Sequence, residues 1–213
     1  MKNSQTKAKL LIATHHLTRR LNSYILFILF MGGLCLPTIT NAQPSEFDLS
    51  RVRAGLKVFR SMLMADRDIT TKSTSDNEIN IVFIYNANME QAESLAHSFV
   101  RMGKQETQGK IKGSLIKVHI LKELDTITKL ALAPAGIFVL EPIPDEMIQN
   151  IINYGKAHHV VTFSPYQGDV EKGVLGGLEI ETRVRPFINT HTLQVSELRI
   201  KSFFLKAAKI YEK

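Results

Sequence analysis

Hydrophobic positions change their rhythm several times along the chain. Val52, Leu56, Phe59 and Leu63 recur at helical spacing, with Phe47 and Met62 near the same side. Ser45 stands where a capping residue belongs, so a helix is expected from Glu46. Arg51, Arg53, Lys57 and Arg60 give that helix a basic face, a pattern that usually means a solvated one. A polar surface loop, Asp68 to Glu78, leads to Ile79–Tyr85 (INIVFIY). That run is nearly unbroken rather than alternating, which marks a strand covered on both sides.

The strand–helix rhythm then repeats. Asn86-Ala87-Asn88 turns the chain, and Asn88 with Gln91 caps a helix through about Met102 that buries Ala92, Leu95, Ala96, Phe99 and Val100. A second strand is expected over Ser114–Ile120, a short helical piece around Leu124–Leu132 and a third strand over Ala135–Leu140. Pro142 and Pro144 stop that strand, and Asp145–Lys156 reads as a helix before a fourth strand, Val160–Phe163. This order specifies a parallel sheet with right-handed crossovers. After a loop or single turn over 164–173, Val174–Glu181 and Val184–Asn189 read as an antiparallel hairpin. Pro186, which cannot donate to a ladder, places the second of these at an edge. Helical material from Thr190 to Tyr211 closes the chain. The expected fold class is a three-layer α/β domain, its mostly parallel sheet ending in an antiparallel hairpin and closing helices.

The first 42 residues belong to another pattern. A polar, basic segment precedes the apolar stretch Tyr24–Leu36 (YILFILFMGGLCL), followed by Pro37, small residues and a cleavage pattern with Thr40 and Ala42 before Gln43. This is the three-part layout of a secretory signal peptide. The stretch of 13 apolar residues is short for a spanning helix, which needs roughly 20. Export to the periplasm with cleavage between Ala42 and Gln43 is therefore expected; the alternative is an inner-membrane anchor formed by residues 24–36. The rest, 43–213, reads as one domain.

Composition changes meaning once the leader is set aside. The chain carries 27 Lys and Arg against 20 Asp and Glu, but five of the basic residues and the lone Cys35 lie before Gln43. What remains has 22 against 20 and no cysteine. That excludes disulfides and thiol chemistry in an oxidising compartment. It leaves no electrostatic footprint for nucleic acid.

Residues 159–211 carry a family resemblance. The segment HVVTFSPYQGDVEKGVLGGLEIETRVRPFIN resembles the YfiR-like family of bacterial periplasmic proteins: a short strand, a Ser-Asp-type loop, a Gly-containing hairpin and an Arg-to-Asn ending, here Arg185 to Asn189 and one residue tighter. SELRIKSFFLKAAKIYE is similar to the family's closing helix, and Phe47–Leu63 more weakly to its opening one. Tyr166 and Gln167 depart from the pattern, taking the place of an Asp after the Ser, with Asp169 displaced later. The cysteines of some members are missing after residue 42. The resemblance implies a Rossmann-like periplasmic domain that acts by binding and brings no catalytic residue. In its best-known type the partner is the periplasmic part of a membrane-bound diguanylate cyclase.

No motif adds catalysis. His158-His159 point apart at a strand start and lack grouped companions for a metal. Ser164 follows a strand without the Gly-x-Ser-x-Gly elbow. Asp169, Glu171, Glu179 and Glu181 lie on or beside the hairpin as solvated acids, and Gly173, Gly176 and Gly177 as sites of backbone crowding or bending rather than a phosphate cradle. No cofactor is expected. The leading expectation is a regulatory or adaptor protein that binds a membrane-bound signalling protein, a cyclase or a sensor kinase, through its periplasmic domain. The alternative is a small-ligand binding protein related to one lobe of a solute receptor, which would need two chains, a homodimer, to enclose its ligand. In open α/β sheets the binding site lies outside the carboxyl ends of the strands. Asn86, Asn88, Ser164 and Tyr166 are expected there, with Arg183, Arg185 and Phe187 beside them.

Overall fold

A computed structural model describes residues 46–130 and 132–212. The expected leader with Cys35, the expected cleavage site Ala42–Gln43, Ser45 and the Phe47 side chain lie outside them. Helix α1 (Glu46–Ala65) is followed by β1 (Glu78–Ile84), α2 (Met89–Val100), β2 (Lys110–Ile111), β3 (Ser114–Leu121), β4 (Gly136–Val139), α3 (Asp145–Ala157) and β5 (Val161–Phe163). The chain continues through a helical turn, α4 (Asp169–Lys172), then β6 (Gly176–Ile180), β7 (Val184–Asn189), α5 (Thr190–Val195), α6 (Ser202–Ala207) and β8 (Lys209–Tyr211).

The strands form one sheet in the order β2-β3-β1-β4-β5-β6-β7-β8. Strands β3, β1, β4, β5 and β6 run parallel, β2 and β7 antiparallel to their neighbours β3 and β6, and β8 parallel to β7. The fold is the expected mostly parallel α/β one. Alternating residues of the central strands feed two cores. Ile81, Phe83, Phe138 and Phe163 face α1 and α2, where Phe59 and Phe99 join them. Val82, Ile84, Ile137 and Val139 face α3 and its Ile148, Ile151 and Ile152. The apolar runs Ile81–Ile84 and Ile137–Val139 are unbroken because both faces of β1 and β4 are buried.

Close approach sets where α1 crosses the sheet. A Cβ on Gly136 would lie 2.7 Å from the Phe59 ring, and one on Gly176 would lie 2.9 Å from the Met62 sulfur. Gly55 lies against Phe138 and Pro165. The helix therefore starts over the carboxyl edge of the sheet and runs back across β4 to β6.

Four expectations are corrected. β7 is not an edge strand: β8 pairs with it, but only from Phe187 onward, one residue past Pro186. The proline thus sits where the ladder on that side has not begun. Residues 190–211 are not continuously helical. They form two six-residue helices and then β8. Between the helices the chain bridges the end of α1, with Ile200 opposite Asp66 and the Lys201 amide bonded to the Ala65 carbonyl at 2.9 Å. Burial of Leu198 and Ile200 by this pairing overrides local helical spacing. Finally, the basic face of α1 is not simply solvated. Arg60 is buried, donating to the Thr107 and Lys110 carbonyls at 2.9 and 2.7 Å, and Arg51 donates to the Pro165 carbonyl at 3.1 Å. The segment 68–78 is likewise more than a loose loop, since it holds a helical turn, Ile69–Lys72, with Ile69 buried.

Candidate functional site at the carboxyl edge of the sheet

β1 and β4 are adjacent, and the crossovers leave them toward opposite neighbours, β3 and β5. The crevice between their carboxyl ends is the switch point where ligands of such sheets bind. Here a side chain of the protein fills it. The turn after β1 aims three successive backbone N–H groups at the Glu141 carboxylate, which follows β4. The distances are 3.1 Å from Asn86, 2.6 Å from Ala87 and 3.0 Å from Asn88. Asn88 also caps α2, accepting from the Gln91 amide at 2.9 Å, and the helix dipole adds to the attraction for negative charge. The Asn86 side chain donates to the Pro142 carbonyl at 3.4 Å.

Tyr166 closes the next gap. Its hydroxyl donates to the Leu140 carbonyl at 2.7 Å, and its ring touches both cores. Burial, then the negative charges of Asp48 and Glu141, push its hydroxyl well above the ordinary tyrosine range, so it stays a donor. Ser164, just before it, is fully buried and donates to Asp169 at 2.6 Å. Asp169 thus reaches Ser164 across five residues of loop. Lys172 follows on α4, bonded to Asp145 at 2.7 Å and to Asp169 at 3.4 Å.

Arg183 is exposed in the hairpin turn. Arg185 is half-buried and paired with Glu181 at 3.3 Å. Phe187 is core, edge-on to Tyr211 and beneath the Lys209 ammonium, which lies 5.3 Å from its ring. Between α4 and the hairpin opens a cleft of about 250 Å³ lined by Arg51, Tyr166, Glu171, Glu179, Phe187 and Lys209. Glu179 bonds Lys209 at 2.5 Å, and that bond holds its carboxyl below the usual range. A general acid needs the opposite shift.

The structure brings Asn86, Asn88, Ser164 and Tyr166 to one edge, as the strand ends predict, and places Tyr166 and Phe187 on one cleft. It withdraws Ser164 and Phe187 from contact with a partner, because both are buried. Sequence reasoning missed Glu141 and Lys172, and read Arg51 only as part of the basic, usually solvated face of the first helix. An acid immediately after the middle strand, facing an Asn-rich turn, was the available signal for Glu141. At the opposite edge, His158 packs tilted against Tyr154 with ring centres 4.3 Å apart, and His159 bonds the Ser196 carbonyl at 2.9 Å. Among the described residues no group of three or more His, Cys, Asp or Glu is placed to hold a metal ion. No helix among them is long and apolar enough to cross a membrane.

No family model and no curated protein matches the chain. Among solved structures, it is similar to the ABC domain in complex with L-Trp from Streptococcus pneumonia (TM-score 0.46, 12% identity, 76% of this chain). It is also similar to a conserved domain protein from Vibrio cholerae O1 biovar El Tor (TM-score 0.48, 12% identity, 76% of this chain). The chain spans 60% of the length of each. At that distance neither activity nor ligand carries over.

Proposed function

We propose that this chain is an exported, non-enzymatic binding protein that regulates a membrane-bound signalling protein through the carboxyl edge of its sheet. The observation that supports this most is the Glu141 carboxylate seated on the Asn86–Asn88 amides. With its anion-binding amides already satisfied, the edge offers a fixed side-chain surface in place of an open crevice. Around that surface stand exposed Gln167 and Arg183 and the apolar hairpin residues Ile180 and Val184, 37% and 46% exposed. Exposed apolar and arginine side chains suit a protein partner. The YfiR-like pattern of residues 159–211 adds the nature of that partner, the periplasmic part of a diguanylate cyclase or sensor kinase.

A second reading has its own observation, the cleft of about 250 Å³ beside Tyr166. Its size and paired charges would suit a small polar ligand.

Capture of membrane proteins by the purified chain tests the first reading. Arg183→Glu with Gln167→Ala should abolish capture at an unchanged melting temperature, and capture at the parent level would refute it. A small molecule that raises the melting temperature, while Glu179→Gln removes that rise, would favour the second.

A further inference from the structure

We propose that the α1 face centred on Arg60, with the loop over 101–112, docks the protein on an anionic lipid surface. Arg60 fastens the two elements together: its Nη2 donates to the carbonyls of Thr107 and Lys110, and its guanidinium lies 5.9 Å from the Phe99 ring centre. Lys57 and Met64 stand three residues before and four after Arg60, so all three share one helical face. Lys57, Arg101, Lys104 and Lys110 are exposed, and Met64 is 44% exposed on the helix face it shares with Lys57. The loop's shape is set by Gly103 and Gly109 at φ values of 105° and 71° and by Lys112, which bonds the Asp66 carbonyl at 2.8 Å.

Charge bookkeeping singles this face out. Residues 43–213 hold 22 basic against 20 acidic side chains. Lys57, Arg60 and the loop account for six of the basic ones and a single acid, Glu106, leaving 16 against 19 elsewhere. The whole positive excess of residues 43–213 is gathered here, and the remainder of that segment is slightly acidic. Cations on two elements that Arg60 joins, with an exposed thioether on one of them, suit mobile headgroups, which need no fixed donor geometry and admit an apolar side chain between them. The inference does not depend on the function proposed for the opposite edge.

Sedimentation of the purified full chain with phosphatidylglycerol vesicles, against phosphatidylcholine vesicles at the same lipid concentration, tests it. Reversing Lys57, Lys104 and Lys110 to Glu should lower binding to the anionic vesicles at least about fivefold. Binding to neutral vesicles, which reports the apolar residues 24–36, should stay the same. The five basic residues before Gln43 are common to the parent and every variant, so they cannot account for a difference between them. Reversing the exposed Lys122, Lys129 and Lys206 instead should leave binding near the parent level. Met64→Ser should weaken the anionic component without changing its salt dependence. Circular dichroism checks folding, and the Gln versions of the three changes replace the Glu versions if those unfold. The proposal fails if the Lys57/Lys104/Lys110 variant binds like the parent, or if the control triple loses as much. It also fails if an acidic polypeptide is bound while anionic vesicles are not.

Discussion

Ser164 donates its hydroxyl to Asp169 at 2.6 Å, and both side chains are buried. The pair ties the end of β5 to α4, and the Tyr166 amide reaches the same hydroxyl at 3.3 Å. Its role is to shape the loop that carries Tyr166. Ser164→Ala leaves a buried carboxylate short of a donor, which costs about 1–3 kcal/mol. Urea unfolding should show that loss with an unchanged slope. A midpoint equal to the parent's would mean that water or Lys172 replaces the serine without cost.

Glu141 does for the β1–α2 turn what Asp169 does for the next loop. Removing its carboxylate strands three N–H groups at the head of α2, a site already favourable for negative charge. Since the turn is exposed, water recovers part of the loss, and Glu141→Ala should destabilise by about 1–2 kcal/mol. Hydrogen exchange should quicken at Asn86–Asn88 and in the first turn of α2 before anywhere else. Unchanged protection there would show that Glu141 is incidental to the turn.

How legible these features are depends on what each residue answers to. Phe83, Phe138 and Phe163 sit in short apolar runs, and double burial of a parallel sheet writes that pattern directly into the chain. Asn88 and Gln91 are local partners, so the cap at α2 is visible from spacing alone. Lys209–Tyr211 is different. Preceded by Leu205 and Ala208, it continues a helical pattern, and only pairing with Phe187–Asn189 makes it a strand. Arg60 and Glu141 look like ordinary surface charges because their acceptors and donors lie 47 and 55 residues away in sequence. The carboxyl-edge site was legible as a place, from strand order, while its contents depended on such long-range contacts.

The glycines of the hairpin allow a sharper test. A Cβ on Gly177 would lie 2.6 Å from a Val170 methyl and 2.8 Å from the Ser164 carbonyl oxygen. The oxygen belongs to the backbone and cannot swing aside. Gly177→Ala should cost about 1–3 kcal/mol by overpacking. Gly113→Ala should cost about 1–2 kcal/mol through backbone strain alone, because its φ is 94° and nothing lies within 4 Å of the added methyl. Thermal unfolding of Gly177→Ala checks the first cost, and a melting temperature equal to the parent's would contradict the packing described at β6.

His119 makes stability depend on pH. It lies half-buried on β3, with Nε2 2.9 Å from the Asn80 side-chain oxygen. Burial first, and then the charge of Lys117, hold its pKa below the ordinary 6.5, with Glu78 acting weakly the other way. The folded chain therefore binds its proton less readily than the unfolded chain does. Protons drive unfolding in the interval between the folded pKa and 6.5, so stability should fall as the pH drops from 6.5 and level off below the folded pKa. Glu179 also has a lowered pKa, but its ordinary value is 4.5, so its contribution is lost only at lower pH. His119→Gln keeps a donor for Asn80 and removes the titration. Melting temperatures measured between pH 7 and pH 5 should decline less in this variant than in the parent. Parallel declines in the two proteins would assign the acid sensitivity to other groups and leave His119 a purely packing residue.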